Sequence, residues 1–285
     1  MKNVLILVVA SAAVFVLGNT ACAQTVVKQD HTVLLSSDLK WTPLNPARGA
    51  DGPQAANLWG DRTGRGPSGF LVKFVDGFSS PPHIHNITYR GVVLQGRVFN
   101  GHQDNKPMWM QSLSYWTQPV GQVHITAAQG RSIVYVEIED GPYLVRPTEE
   151  AVDHGEKPVN IDAGNLVWLG SQNIRWINDP QADGSSAGVE VALLWGEPQT
   201  PQPSGVLVRL PKQFRGKIRS DASAFRAVII QGQARYQFST DKPKSLQPGA
   251  CFTSSGAATH KLTQDGDEPC VLYLQTQGTF EIHAE

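Results

Sequence analysis

The sequence predicts an all-β protein built as two tandem barrels of short strands, and three observations support this fold class. Segments rich in β-branched and aromatic residues, such as 70–75, 89–99 and 132–138, are separated by Gly, Pro, Asn and Asp. After the N-terminus, no segment has a convincing helical period of about 3.6 residues. The third observation is an internal repeat.

The repeat relates the two halves of the chain by a shift of 136 residues. It carries LWG at 58–60 onto LWG at 194–196, and PSGFLVKF at 67–74 onto PSGVLVRL at 203–210. A constant register over such a length indicates two homologous domains. We predict domain 1 at residues 24–150 and domain 2 at residues 151–285, each of a size typical of one β-sandwich or closed barrel.

The first 23 residues have the pattern of a secretory signal peptide. Lys2 precedes an apolar run from Val4 to Leu17, and Ala21-Cys22-Ala23 matches a small-x-small cleavage site. Cleavage after Ala23 would place the mature protein in the periplasm or outside the cell, with no membrane segment. The alternative is an N-terminal anchor that is kept, but the run is short for a full membrane span.

The charge of the chain limits its possible partners, and its cysteine content raises the question of a disulfide. The formal net charge is −1 and no run of Lys or Arg is present, which argues against nucleic acid as a partner. Cleavage leaves Cys251 and Cys270. They either pair in an oxidising compartment or are buried apolar residues on neighbouring strands, because spacing does not show whether they come within disulfide range.

Domain 1 contains two histidine motifs. In the first, Gly77, His83-Ile84-His85, Tyr89 and Gly96 are separated by five, three and six residues. The second is Pro119-Val120-Gly121-Gln122-Val123-His124. Both motifs resemble those of the cupin superfamily, and the repeat resembles its two-domain form, the bicupins, in particular exported bicupins of unassigned function. The resemblance implies two tandem cupin jelly-roll barrels and a metal site in domain 1 formed by His83, His85 and His124.

The chemistry of these residues is consistent with a metal site. Histidines at i and i+2 of a strand share a face, so His83 and His85 can converge on one ion, with His124 arriving from a neighbouring strand. Imidazole suits zinc, copper, iron and nickel, and other cupins use manganese, so we expect one divalent transition metal of unspecified identity. Neutral ligands leave its charge uncompensated, which favours an anionic, chelating small molecule as the partner. The alternative is that the histidines line a barrel mouth and bind nothing.

Tyr89 occupies the position at which the cupin motif has a glutamate. An unperturbed phenol titrates at about pH 10, so direct ligation requires a large shift. We expect Tyr89 to lie beside the ion and to face bound water or substrate, with ligation or simple packing as alternatives. Gln95 and Trp116 are candidates for the pocket wall, and a turn-capping role is the alternative for Gln95.

Domain 2 departs from this pattern. The shift of 136 residues places Arg219, Asp221 and Phe225 at the positions of the two first-motif histidines and the tyrosine, and keeps only His260. Such a set is a poor transition-metal site, so we predict none in domain 2, which would support domain 1 or an oligomer interface. An ion pair inside the barrel, or an anion held by Arg219, is the alternative.

These features predict a metal-binding bicupin. The favoured function is a metal-dependent enzyme with dioxygenase-type or related chemistry on a small anionic or oxygenated molecule. The alternative is a non-catalytic ligand-binding or sensor protein with a structural metal, because a fold alone does not decide function. The resemblance also implies a homodimer formed through sheet edges.

Overall fold

The computed structural model describes residues 30–180 and 188–285, and nearly all regular structure in these ranges is β-strand. The helices are short 3-10 turns: Ser36–Asp38, Pro46–Asp51, Thr148–Glu150 and Ala163–Asn165. In the described ranges no helix has the length and apolar character that a membrane crossing requires. The predicted signal peptide, residues 1–23, lies outside the described residues.

The strands follow one another at short intervals along both halves. In the first half they are β1 (His31–Leu34), β2 (Thr42–Pro43), β3 (Gln54–Trp59), β4 (Ser68–Phe74), β5 (Ile84–His85), β6 (Tyr89–Gly101), β7 (Tyr115–Gln118), β8 (Ile125–Ile138) and β9 (Val145–Arg146). In the second half they are β10 (Val159–Ile161), β11 (Leu169–Gly170), β12 (Ile177–Asn178), β13 (Glu190–Trp195), β14 (Pro203–Leu210), β15 (Arg215–Ser220), β16 (Ala224–Gln231), β17 (Ala234–Phe238), β18 (Lys244–Leu246), β19 (Cys251–Ser254), β20 (Ala258–Thr263), β21 (Cys270–Gln277) and β22 (Phe280–Ala284).

These strands form two jelly-roll barrels, which confirms the predicted fold class. The first barrel has a seven-stranded sheet in the order β10-β7-β6-β8-β4-β3-β2, and the pair β5-β9 lies beside it. The second has a seven-stranded sheet, β1-β19-β16-β21-β14-β13-β11, and a six-stranded sheet, β12-β22-β15-β20-β17-β18. Apart from the parallel pair β12–β22, the described pairings are antiparallel, as expected of strands joined by short turns.

Two edge strands cross between the halves of the chain. β1 precedes the first barrel in sequence but pairs with β19 of the second barrel. β10 follows the predicted boundary at residue 150 but pairs with β7 of the first barrel. Each barrel therefore has an edge strand from the other half, so separating the chain at residue 150 would expose an unpaired edge on both sides. The boundary itself stays a prediction.

Three buried apolar clusters hold the described part of the chain together. One fills the first barrel and includes Phe70, Val134 and Trp116, and a second fills the other barrel. The third lies between the barrels and includes Tyr135 and Tyr273. The sheets that meet between the barrels therefore have two apolar faces, one towards the interior of their own barrel and one towards the other barrel. This explains the almost continuous apolar runs in their strands.

Repeat-related residues meet where the barrels touch. The Arg90 guanidinium lies over the Trp195 ring at 3.9 Å, and its repeat partner Arg226 lies over Trp59 at 4.0 Å. Such cation–π contacts are stronger where they are shielded from water. The contact is therefore reciprocal, which accounts for the recurrence of LWG and of the arginine in both halves.

One carboxylate is buried at the same contact. Glu137 is 4% exposed and accepts hydrogen bonds from the hydroxyls of Tyr135 (3.0 Å) and Tyr273 (2.6 Å). Burial raises the pKa of Glu137, while the hydrogen bond from Tyr273 and the charge of Arg90 oppose that shift. A buried charge is tolerated when it is paired and hydrogen-bonded, so this group ties the two barrels together.

The two cysteines are both buried and free. Cys251 belongs to the cluster between the barrels, whereas Cys270 belongs to the interior of the second barrel. The side chains thus point to opposite faces of one sheet, and a disulfide between them would require the backbone to move. Of the two alternatives that the spacing left open, a disulfide or two buried cysteines, the structure has the two buried thiols.

Candidate metal centre

The three predicted ligands converge in the first barrel. Ring nitrogens of His83, His85 and His124 lie within 4.8 Å of one another. The backbones of His83 and His124 exchange two hydrogen bonds, both of 3.0 Å, and His85 follows two residues along on the same face. Gly121, at φ +73°, turns the chain before His124 and donates its N–H to the His85 carbonyl at 3.0 Å.

Backbone carbonyls set the tautomer of all three rings. The Nδ1 atoms of His83, His85 and His124 lie 2.9, 3.0 and 3.2 Å from the carbonyl oxygens of Pro81, Leu144 and Gln122. A carbonyl only accepts, so each Nδ1 carries the proton and each Nε2 keeps its lone pair. Metal-binding histidines are commonly oriented in this way.

Burial keeps these imidazoles neutral. Desolvation lowers the pKa of His124 to about 3 and that of His85 well below its usual value, and the neighbouring histidines add to both shifts. The pKa of His83 is lowered by the same cause. Neutral rings are the form that binds metals, and within the described residues the cluster contains no carboxylate or thiolate. A set of three nitrogen donors fits a divalent transition metal ion.

Tyr89 lies beside this cluster. Its hydroxyl is 3.2 Å from His124 Nε2 and donates to Asn100 Oδ1 at 2.9 Å. The side chain is 3% exposed, and burial raises the phenol pKa, so the hydroxyl keeps its proton. Trp116 packs against Gly91, two residues along β6 from Tyr89, where a Cβ would lie 2.2 Å from the indole ring.

A cavity of about 380 Å³ opens onto His83 and His85. Its walls are mainly apolar, and the exposed Arg48 is the one charged residue among the described residues that line it. Trp116 and Tyr89 both line the cavity. Gln95 does not, because it lies at an irregularity of β6 and is exposed to solvent.

A comparison with protein families assigns the chain to a family. The model of a domain of unknown function, DUF4437, matches residues 32–283. The chain belongs to the DUF4437 family. No functionally curated protein matches its sequence significantly.

Solved structures similar to this DUF4437 chain share its fold at low sequence identity. A candidate dioxygenase from Nostoc punctiforme is 12% identical, with a TM-score of 0.62 over 87% of this chain and 82% of that one. A variant of the salicylate 1,2-dioxygenase from Pseudoaminobacter salicylatoxidans in complex with gentisate is 12% identical, with a TM-score of 0.54 over 85% and 81%. The oxalate decarboxylase of Lactobacillus farciminis in complex with formate is 12% identical, with a TM-score of 0.54 over 88% of each. Such coverage spans both barrels, so this chain shares the two-barrel cupin fold of these structures.

Sequence reasoning missed a second tyrosine in the DUF4437 centre. The hydroxyl of Tyr143 lies 3.1 Å from His85 Nε2, and its ring stacks on His85 at 4.4 Å and 20°. Asn86 holds the segment in place by donating to the Pro142 carbonyl (3.0 Å) and accepting from the Leu144 N–H (2.8 Å). Tyr143 follows β8 in a loop without a recognisable motif, so the sequence carried no signal for it.

A buried amide network behind Tyr89 was missed as well. Asn100 Nδ2 donates to Gln118 Oε1 at 2.9 Å, and Gln118 Nε2 donates to the Gln122 carbonyl at 3.0 Å. These bonds orient Asn100 so that its oxygen accepts from Tyr89 and from the Thr126 hydroxyl. Both amides are fully buried on strand faces that are otherwise apolar, and polar residues in such positions are the signal that could have identified them.

In the second barrel, the residues at the positions of His83 and His85 are not the ones that the repeat alignment predicted. His124 pairs with His83, but its counterpart His260 pairs with Ile218. The shift of 136 residues is therefore wrong by one residue at β15, and one residue exchanges the two faces of a strand. Arg219 and Asp221 are exposed at the surface, not inside the barrel, while Ile218 and Ser220 face inward.

His260 itself has no free nitrogen. Its Nδ1 lies 2.8 Å from the Tyr236 hydroxyl and its Nε2 lies 3.0 Å from the Ser254 hydroxyl. Phe225 stacks on the ring at 4.7 Å, and His260 is 0% exposed. This residue is a satisfied core histidine in the second DUF4437 barrel.

Proposed function

We propose that this DUF4437 chain is a metal-dependent enzyme that acts on a small oxygenated or anionic molecule in the first barrel. One observation carries the proposal: three histidines with protonated Nδ1 atoms bring ring nitrogens within 4.8 Å of one another, and two of the three, His83 and His85, line a cavity. Perturbed titratable groups that converge at a cavity are typical of functional sites.

His83, His85 and His124 would hold the ion. A bound divalent ion supplies Lewis acidity, which polarises a substrate oxygen or acidifies a bound water. The apolar cavity walls limit the access of water and strengthen the electrostatic interactions inside it. Arg48 adds positive charge to the same cavity, which favours an anion as the bound molecule.

Dioxygenase-type or related chemistry is the reaction class that we favour. The support is the shared fold with the dioxygenase bound to gentisate and the decarboxylase bound to formate, both of which hold a small carboxylate. This support is an analogy of fold. We also propose export, from the N-terminal pattern, and a homodimer.

Two measurements on the purified protein test this proposal. Elemental analysis is expected to find about one divalent ion for each chain, bound by three histidines. A panel of small carboxylates and phenols is then screened for oxygen uptake and for product. Turnover that disappears on removal of the ion supports the enzyme. Saturable binding without turnover would instead indicate the ligand-binding or sensor alternative.

A further inference from the structure

Two phenols approach the ring nitrogens of the metal centre, and their hydrogen bonds differ. The Tyr89 hydroxyl has two acceptors in reach, Asn100 Oδ1 at 2.9 Å and His124 Nε2 at 3.2 Å. Among the residues that the structure describes, the Tyr143 hydroxyl has only His85 Nε2, at 3.1 Å. Because His85 Nδ1 donates to the Leu144 carbonyl, Nε2 is the acceptor and Tyr143 is the donor.

An ion at the centre would compete with Tyr143 for one lone pair. His85 Nε2 has a single lone pair in the ring plane, which either accepts the Tyr143 proton or binds a metal. Once it binds a metal, the Tyr143 hydroxyl needs another acceptor, since an unmade hydrogen bond in a shielded site is costly. Tyr89 has no such need, because Asn100 still accepts its proton.

The Tyr143 ring is fixed in place. It stacks on His85 at 4.4 Å and meets the edge of Phe70 at 5.3 Å. On either side, Pro142 and Leu144 are hydrogen-bonded to Asn86, and β9 pairs with the strand that carries His85. The hydroxyl therefore stays near the histidine cluster and cannot turn towards a distant acceptor. Tyr143 also lines the cavity, so a molecule bound there can supply the acceptor.

We propose that the Tyr143 hydroxyl is a catalytic residue that donates a hydrogen bond to an oxygen of the molecule bound at the metal centre. This inference rests on the proposed function, because it requires an ion on His85 Nε2. It narrows the class of substrate to molecules that present an anionic or strongly accepting oxygen to the ion, such as carboxylates, enolates or hydroxamates. Their remaining part is apolar, to match the cavity walls.

Cobalt(II) and acetohydroxamate are suitable probes, because visible spectra of the cobalt-loaded protein report both metal and ligand binding. Wild type, Tyr143→Phe and Tyr115→Phe are compared. The first variant removes one oxygen and keeps the ring stack. The second removes a hydroxyl in the cluster between the barrels and is the matched control.

We expect Tyr143→Phe to bind one cobalt as tightly as wild type, or more tightly because a competing hydrogen bond is gone. Acetohydroxamate should then bind to it roughly tenfold more weakly, the usual effect of one lost hydrogen bond. Tyr115→Phe should match wild type in both titrations. Retained cobalt in Tyr143→Phe also shows that the variant folds.

The outcomes separate the inference from the proposed function. Unchanged acetohydroxamate affinity in Tyr143→Phe overturns the inference and leaves the metal site intact. Loss of cobalt from this variant also overturns it, because Tyr143 would then be a ligand. Wild type that binds no cobalt overturns the proposed function, and the inference with it.

Discussion

The two barrels have a histidine at the same repeat position, yet among the residues that the structure describes only the one in the first barrel belongs to a cluster of three histidines. In the first barrel, His124 donates from Nδ1 to a backbone carbonyl, and the Tyr89 hydroxyl that lies 3.2 Å from its Nε2 donates to Asn100. In the second, both nitrogens of His260 are taken by hydroxyls, and Phe225 covers the ring. Burial lowers the pKa of both rings to about 3, so burial alone does not distinguish them.

The two histidines therefore differ in whether both ring nitrogens are bound by neighbouring side chains, as in His260, or one is left for a metal, as in His124. Tyr89, Asn100 and Gln118 in the first barrel correspond to Phe225, Tyr236 and Ser254 in the second. In the first barrel Asn100 accepts the proton of the Tyr89 hydroxyl, whereas in the second the hydroxyls of Tyr236 and Ser254 bond to the histidine itself. A duplicated barrel can thus keep its fold and lose its site through a few substitutions.

The largest expected effect is on metal content. His83→Ala combined with His85→Ala should abolish binding, since a single remaining imidazole cannot hold the ion. Arg219→Ala combined with Asp221→Ala, the exposed pair of the second barrel, is the control and should leave the content at about one ion per chain. Calorimetric titration with cobalt measures both. Full occupancy in the histidine variant would refute the site.

Replacing Glu137 should lower the free energy of unfolding more than replacing Gln275 of the second barrel. Glu137→Ala removes the acceptor of the Tyr135 and Tyr273 hydroxyls and should cost about 2–4 kcal/mol of unfolding free energy, while Arg90 keeps its ion pair with Glu139. Gln275→Ala removes one acceptor of Arg226, at 2.6 Å, and should cost about 1 kcal/mol. Urea unfolding gives both values, and equal costs would show that the contact between the barrels is symmetric in energy.

His260→Ala should destabilise the protein without affecting the metal. The cavity and the lost partner of the Ser254 hydroxyl should together cost about 2–4 kcal/mol, whereas the Tyr236 hydroxyl keeps His31 Nε2 at 2.7 Å. His260→Gln retains polar atoms near these hydroxyls and should recover part of that loss. Thermal unfolding and metal analysis are measured together, and loss of the ion in either variant would mean that the second barrel contributes to the site.

Stability should also depend on pH through His260. Its pKa in the folded protein is about 3, below the usual 6.5, so at pH 5 the unfolded chain binds the proton and the folded chain does not. Stability from this residue is thus complete above pH 6.5 and falls as the pH drops, by about 2 kcal/mol between pH 7 and 5. The loss of stability between pH 7 and 5 should be smaller by this amount in His260→Gln. If both proteins lost the same stability over this range, His260 would not be the cause.

The smallest effect is expected at Tyr89. Tyr89→Phe removes a hydrogen bond to Asn100 and should cost about 1 kcal/mol of stability. The ion should remain, because the three imidazoles are untouched. A cobalt titration decides the matter: a large loss of affinity would make Tyr89 a ligand.

Local patterns explain what could be predicted. Strand-like segments, the repeat and the two histidine motifs depend on residues close together in sequence, and they led to the fold and the three histidines. Tyr143 could not be found in this way, because contacts with His85 and Asn86, more than fifty residues earlier, place it. The exchange of β1 and β10 between barrels is likewise a matter of tertiary pairing.

The repeat alignment failed at β15 for a related reason. A shift of one residue is small on the scale of the whole repeat but reverses which side chains enter the barrel. Only the pairing of Ile218 with His260 reveals it. At the positions of the first-motif histidines the second barrel has Ile218 and Ser220 instead of Arg219 and Asp221, and the absence of a metal site there stays a prediction.

An anomalous difference map of a metal-loaded crystal tests the central claim most directly. We predict one peak per chain, about 2.0–2.2 Å from the Nε2 atoms of His83, His85 and His124, and none near His260. A peak inside the second barrel, or a first barrel that stays empty in the loaded crystal, would contradict the account.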